Sequence, residues 1–196
     1  MANPLHMKII NPALDPNEEA LLHDLAKSVA HPNMKILEVG TGQGGSAGSL
    51  YINVVQHYDG TIYTIDIVPP REITALSSIY PQIKFMIGRS EDFLKILSPF
   101  AEFDLIFIDG SHIYQDVLSD IQLSLPLVRE GGILCGHDCE NKYTNYDEGR
   151  RAIIDKEAEE GQESFCHAGV VKALYVALQD NYEVAPRIWY VKKITA

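Results

Sequence analysis

The sequence predicts an α/β fold, a mostly parallel sheet with helices on both faces and an antiparallel C-terminal hairpin, and three observations carry that reading. Short β-branched runs alternate with longer stretches of helical periodicity, the pattern of strands joined by crossover helices. The first run ends in a glycine-rich turn, Gly40-Thr41-Gly42-Gln43-Gly44, that leads directly into a helical stretch. The chain closes on two short β-rich runs separated only by a proline turn, which read as the hairpin.

Asp15-Pro16 followed by NEEALLHDLAKSVA predicts a capped helix over about residues 16–30. Proline suits its first turn, acids favour its N-terminal end, and Leu21, Leu22, Leu25 and Val29 form an apolar stripe. Strands are expected at Lys35 to Val39, Thr61 to Asp66, Ile83 to Ile87, Phe103 to Ile108 and Gly132 to Gly136, with helical segments between them. Residues from about 139 to 165 are polar and highly charged, and predict a lid-like surface excursion. HAGVVKALYVALQ supplies the next helix, and YEVAP with RIWYVKKI the closing hairpin.

With 196 residues, 46% of them hydrophobic and 22% charged, the chain fits one globular domain spanning 1–196. Its 27 acidic against 16 basic residues give a net charge of -11, a field that repels phosphates and disfavours a nucleic-acid partner. The N-terminal stretch MANPLHMKIINPALD lacks a basic segment followed by a long apolar run, and no stretch is long and apolar enough for a membrane span, so a cytoplasmic location is expected. Three cysteines form no even-numbered framework and no CxxC, which points to reduced thiols. Cys135, His137, Cys139, Cys166 and His167 match no common zinc spacing.

At the glycine turn, missing side chains let the backbone turn sharply and approach a ligand, which the following helix N-terminus faces. Gly40, Gly42 and Gly45 also satisfy GxGxxG, so a dinucleotide remains an alternative on this motif alone. TIYTIDI ends a second strand at Asp66, whose two oxygens suit both hydroxyls of a ribose. In GRSEDF, Ser90 or Glu91 starts a helix and presents polar groups to a nucleobase edge, although helix capping explains Ser90 equally well.

EVGTGQGGS, YTIDIVPP, GRSEDF, DLIFIDGSHIYQDVLSDI, GGILCGHD and the terminal IWYVKK resemble the class I S-adenosylmethionine-dependent methyltransferases. Within them the likeness is to the small macrocin-type and catechol-type O-methyltransferases, and it runs from about Lys35 to Lys193. The resemblance implies a Rossmann-like seven-stranded methyltransferase sheet and S-adenosylmethionine as cofactor. It assigns cofactor contacts to Glu38, Gly40, Thr41, Gly42, Gly44, Ser46, Asp66, Ile67, Ser90 and Asp109, with Glu38 organising the turn near the cationic aminoacyl end. It further implies O-methylation of a small hydroxylated acceptor, such as a sugar, a polyketide-like molecule or a phenolic ring, and is compatible with a homodimer.

Catechol-type relatives place magnesium on two aspartates, and these motif positions are Asp109 and Asp138 here. The relatives' asparagine ligand is replaced by Cys139, a soft and poor magnesium ligand, and their lysine base by His112. The family chemistry therefore carries over only in part. Independently, Asp109, His112, His137 and Asp138 follow the carboxyl ends of adjacent parallel strands, where open α/β sheets bind ligands. His112, with an ordinary pKa near neutrality, is the candidate general base; the competing reading is that it and His137 cap local structure. Tyr143, Tyr146, Arg150 and Arg151 are candidates for acceptor recognition. Three other functions compete: an NAD-dependent oxidoreductase, which the absence of a Tyr-x-x-x-Lys pair near the fourth or fifth strand argues against, a non-catalytic cofactor-binding scaffold, and an oxygenase.

Overall fold

The computed structural model describes residues 14–68, 76–97 and 101–193. Its elements are α1 (Pro16–Ser28), β1 (Lys35–Val39), α2 (Gly45–Asn53), β2 (Thr61–Asp66), β3 (Ile83–Ile87), α3 (Ser90–Leu97), β4 (Phe103–Ile108), α4 (Tyr114–Ser124), β5 (Val128–Gly136), α5 (Glu148–Glu160), α6 (Ala168–Leu178), β6 (Glu183–Ala185) and β7 (Ile188–Lys192). The strands form one sheet in the order β3-β2-β1-β4-β5-β7-β6. β1 to β5 pair in parallel, whereas β7 is antiparallel to both β5 and β6. The chain builds outward from β1 to β3, then returns to place β4 on the other side of β1, which opens a crevice at the carboxyl ends of these strands.

Alternation along each strand sorts the core into two layers. Leu37, Val39, Ile106, Ile108 and Trp189 face one side, with Val117, Ile121, Val171 and Leu174 from α4 and α6. Ile36, Leu105, Phe107, Ile133, Cys135 and Ile188 face the other, with Leu22, Leu25, Ala26 and Leu50 from α1 and α2. The one acid inside β4, Asp104, is 3% exposed and is neutralised where it sits: Arg129 Nε donates to it, His31 Nε2 lies 2.6 Å away, and the Lys35 amide donates to it at 2.7 Å. Burial alone would raise its pKa, but these partners outweigh burial and hold it below the usual range.

α1 starts where its sequence expects. Asp15 accepts from the amides of Asn17 and Glu18, and Glu18 accepts from the Asp15 amide in return, a reciprocal capping box. It ends at Ser28, two residues before the expected limit. β5 begins at Val128 rather than Gly132, because a register shift against β4 and the left-handed Gly131 (φ +73°) let the strand start early and bend.

The charged segment after β5 differs in character from the expected excursion. Its helix α5 buries Ile154 and Ala158 in the core layer that holds α6, and Tyr146 and Cys166 are buried beside them. Apart from the buried Glu157, the acids and bases of α5 that dominate the sequence lie on its exposed or half-buried side. Among the described residues, no helix is long and apolar enough to cross a membrane. All three cysteines are free and buried.

Candidate active site

The glycine turn closes β1 with three left-handed residues, Gly40 (φ +92°), Gly42 (φ +51°) and Gly44 (φ +83°). A Cβ on Gly40 would lie 2.1 Å from the Asp109 carbonyl oxygen, so only glycine lets the β1 and β4 ends approach this closely. Behind the turn, Glu38 is fully buried and accepts hydrogen bonds from Ser46 Oγ and Thr64 Oγ1. Because Thr64 commits its proton to Glu38, Thr41 donates to Thr64 across 2.6 Å, and the chain of hydroxyls ties the turn to β2 and α2. Burial pushes the Glu38 pKa up to about 7, against the two hydroxyl donors.

In front of the turn lies a cavity of about 490 Å³, lined by Gly40, Gly42, Asp66, Ile67, Gly88, Ser90, Asp109 and Asp120 among others. Its size suits a small-molecule ligand. One oxygen of Asp66 accepts the amides of Thr41 and Gly42, both at 3.0 Å, and the other accepts the Val68 amide at 3.2 Å, which fixes the carboxylate at the rim. Of the residues expected to bind a cofactor, Gly40, Gly42, Asp66, Ile67, Ser90 and Asp109 meet at this cavity. Glu38, Thr41, Gly44 and Ser46 stand behind it and shape the turn.

Sequence reasoning missed Asp120, on the inner face of α4. It is 4% exposed and accepts from Ser90 Oγ at 2.6 Å, so Ser90 joins α3 to α4 at the cavity wall. Burial raises the Asp120 pKa to about 6, in spite of that bond. The residue lies within the quoted motif DVLSDI, but its role depends on α4 packing against α3, which the motif does not reveal.

The other end of the crevice holds a cluster of histidines and acids around Asp138, itself in the left-handed region at φ +61°. His112 Nε2 lies 2.9 Å from Asp138 Oδ2, His137 Nδ1 3.2 Å from Asp138 Oδ1, and His167 Nε2 3.7 Å from Asp138 Oδ1. Arg187 Nη2 also donates to Asp138 Oδ1. Asp109 Oδ1 is 3.6 Å from His137 Nδ1, and Glu18 Oε2 is 3.1 Å from His137 Nε2. Burial alone would raise the Asp138 pKa, but His112 and His137 hold it well below the carboxylate range. The contact with Asp138 raises His112 against burial, and burial of His137 is outweighed by Asp109 and Asp138, which lift it to about 10. Gly169 fixes the His112 loop from behind: a Cβ there would lie 2.0 Å from the His112 carbonyl oxygen.

Asp109, His112 and Asp138 are thus brought together, but with imidazoles among them. Magnesium prefers oxygen ligands in near-octahedral geometry, and this donor set fits it poorly. Cys139, at the relatives' asparagine position, is fully buried and donates to the Asn141 carbonyl. Tyr143 and Tyr146 pack rather than face the crevice: Tyr143 stacks on Tyr175 at 4.5 Å between ring centres, and Tyr146 is buried. Arg150 lies over Phe165.

A family model described as a methyltransferase domain matches residues 37–139, more than half of the chain. No curated protein matches the sequence. Among solved structures, an O-methyltransferase from Bacillus cereus in complex with SAH superposes with a TM-score of 0.63 at 19% identity, over 96% of this chain and 87% of that one. The O-methyltransferase TomG from Streptomyces achromogenes, involved in tomaymycin synthesis and in complex with SAM, gives 0.65 at 17% identity, over 100% and 92%. A protein from Corynebacterium glutamicum gives 0.67 at 19%, over 94% and 84%. These likenesses establish the fold, and the family match sets aside the dinucleotide oxidoreductase reading of the glycine turn. The chain belongs to the methyltransferase-domain family and is a class I methyltransferase of the S-adenosylmethionine-dependent type.

Proposed function

We propose that the chain methylates a hydroxyl of a small molecule, with S-adenosylmethionine in the glycine-turn cavity and His112 as general base. The observation that carries this reading is the continuity of the site: Asp109, Gly110 and Ser111 line the cofactor cavity, and the next residue, His112, lines a second cavity of about 240 Å³ between the start of α4 and the end of α5. The reacting ends of two ligands would therefore meet at one loop. S-adenosylmethionine supplies an activated methyl group on its sulfonium sulfur. Asp66 would accept from the ribose hydroxyls, while the turn and Asp109 border the aminoacyl end. His112 takes the proton of the acceptor hydroxyl as the oxygen attacks, and Asp138 stabilises the imidazolium that forms. The rest is alignment of oxygen, carbon and sulfur. The magnesium that the family resemblance allows on Asp109 and Asp138 gains no support from the imidazole-rich donor set, and none is required for these steps.

Calorimetric titration with S-adenosylmethionine, S-adenosylhomocysteine and NAD tests the cofactor assignment. Binding of the two sulfur compounds alone is expected, and binding of NAD, or of nothing, overturns it. With an acceptor found by screening, His112→Gln tests the base: turnover should fall by roughly 10²- to 10⁴-fold with cofactor affinity unchanged. Undiminished turnover removes His112 from that role.

A further inference from the structure

The histidine cluster carries an inference that does not depend on the methyl-transfer reading. We propose that Nε2 of His112, Nε2 of His167 and the Asp138 carboxylate form a binding site for one divalent transition ion of the imidazole-preferring class, such as zinc. Their donor atoms all lie within 4.8 Å of one another. His112 Nε2 to Asp138 Oδ2 is 2.9 Å, close to the roughly 3.0–3.4 Å that separates neighbouring ligands about 2.1 Å from an ion, and His167 Nε2 reaches the same carboxylate, 3.7 Å from its Oδ1. The two rings meet edge to face with centres 4.6 Å apart, and both present Nε2 toward the acid. Two imidazoles and one carboxylate favour zinc, iron, cobalt or nickel over magnesium.

A second observation points the same way. His167 Nδ1 is hydrogen-bonded to Glu140 Oε1 at 2.5 Å, and Glu140 also accepts the His167 amide at 3.1 Å. With Nδ1 committed as donor to a carboxylate, Nε2 is left with its lone pair directed at Asp138. That is the arrangement by which proteins orient metal-binding histidines. The overlapping group Asp109, His137 and Asp138 is the weaker candidate, because His137 Nε2, although near Glu18, has no hydrogen-bond partner to fix its ring. Arg187 occupies Asp138 Oδ1 and leaves Oδ2 for the ion. An ion there takes the His112 nitrogen that otherwise bonds Asp138, Nε2, so occupancy breaks the contact by which Asp138 stabilises the imidazolium.

The test uses the full chain, stripped with chelator and titrated with Zn²⁺ against a chromophoric chelator, and with Co²⁺ followed by visible absorption. One equivalent should bind, the Co²⁺ spectrum should lack thiolate charge transfer, and Mg²⁺ in large excess should not compete. His167→Ala should weaken Zn²⁺ binding at least 10-fold and Glu140→Gln by a smaller factor; S-adenosylhomocysteine binding and thermal melting report whether each variant is folded. Should His167→Ala fail to fold, Glu140→Gln carries the comparison. Unchanged Zn²⁺ affinity in the folded variants, thiolate bands, or effective competition by Mg²⁺ would overturn the proposal.

Discussion

Replacing Asp66 by asparagine isolates the part of the site that a ribose would read. The amide oxygen of the new side chain can keep the place of the carboxylate oxygen that accepts from Thr41 and Gly42, each at 3.0 Å, so the turn itself should persist. What is lost is the second acceptor and the negative charge facing the cavity. One charge-assisted hydrogen bond lost, about 1.5 kcal/mol at the low end of its range because the rim is open to water, and a second weakened to a neutral one, about 0.5 kcal/mol, come to about 2 kcal/mol, or on the order of 30-fold in dissociation constant. Titration calorimetry with S-adenosylhomocysteine reads this directly. A 2′-deoxy analogue sharpens it: the native protein should bind the analogue more weakly than the parent compound, and the variant should scarcely distinguish them. If the folded variant binds the parent within about 3-fold of the native protein, Asp66 holds the turn and nothing else.

Gly40→Ala should be far more damaging than Gly42→Ala. Both impose a left-handed backbone on alanine, at roughly 1–2 kcal/mol, but only at position 40 does the new Cβ fall 2.1 Å from the Asp109 carbonyl, whereas at position 42 nothing lies within 4 Å. Displacing that backbone adds a further cost of about 1–3 kcal/mol, so chemical denaturation should rank the variants clearly, and equal losses would discredit the close-approach argument. Glu38→Gln bears on pH. The Glu38 pKa in the folded state, about 7, lies above the ordinary 4.5, so its stabilising contribution is complete below pH 4.5 and is lost as pH rises through 7. The shift corresponds to about 3 kcal/mol across that window. Denaturation curves for the native protein minus those for the variant should fall with pH by that order, and parallel curves would show that Glu38 is not held protonated.

Much of the fold was legible because each strand carries its own signal. Phe103 to Ile108 is apolar almost throughout since both faces of β4 are covered, and the glycine turn marks where β1 stops. The signals failed where structure depends on partners distant in sequence. The early start of β5 at Val128 comes from its pairing with β4 through a bulge, and nothing in VREG itself announces a strand. The segment around α5 reads as solvent-exposed because acids outnumber its few apolar residues, yet Ile154 and Ala158 suffice to seat it in the core layer of α6.

The same distinction separates the two ends of the site. The cofactor end is built from residues at fixed short spacings: Glu38 meets Ser46 eight residues on, and the turn's amides meet Asp66 at the end of the adjacent strand. Such spacings survive as motifs. The histidine end is assembled from α1, the loop after β4, the end of β5, the approach to α6 and the hairpin, so that Glu18, His112, Asp138, His167 and Arg187 converge without any local pattern linking them. Motif matching found His112 and Asp138, which follow strands, and missed the other three. The convergence also accounts for the backbone at Asp138. A non-glycine residue at φ +61° costs on the order of 1 kcal/mol, and the contacts with His112, His137 and Arg187 hold it there. Relaxing that residue would swing the carboxylate away from His112, so the strained geometry and the placement of the proposed base are one feature of the fold.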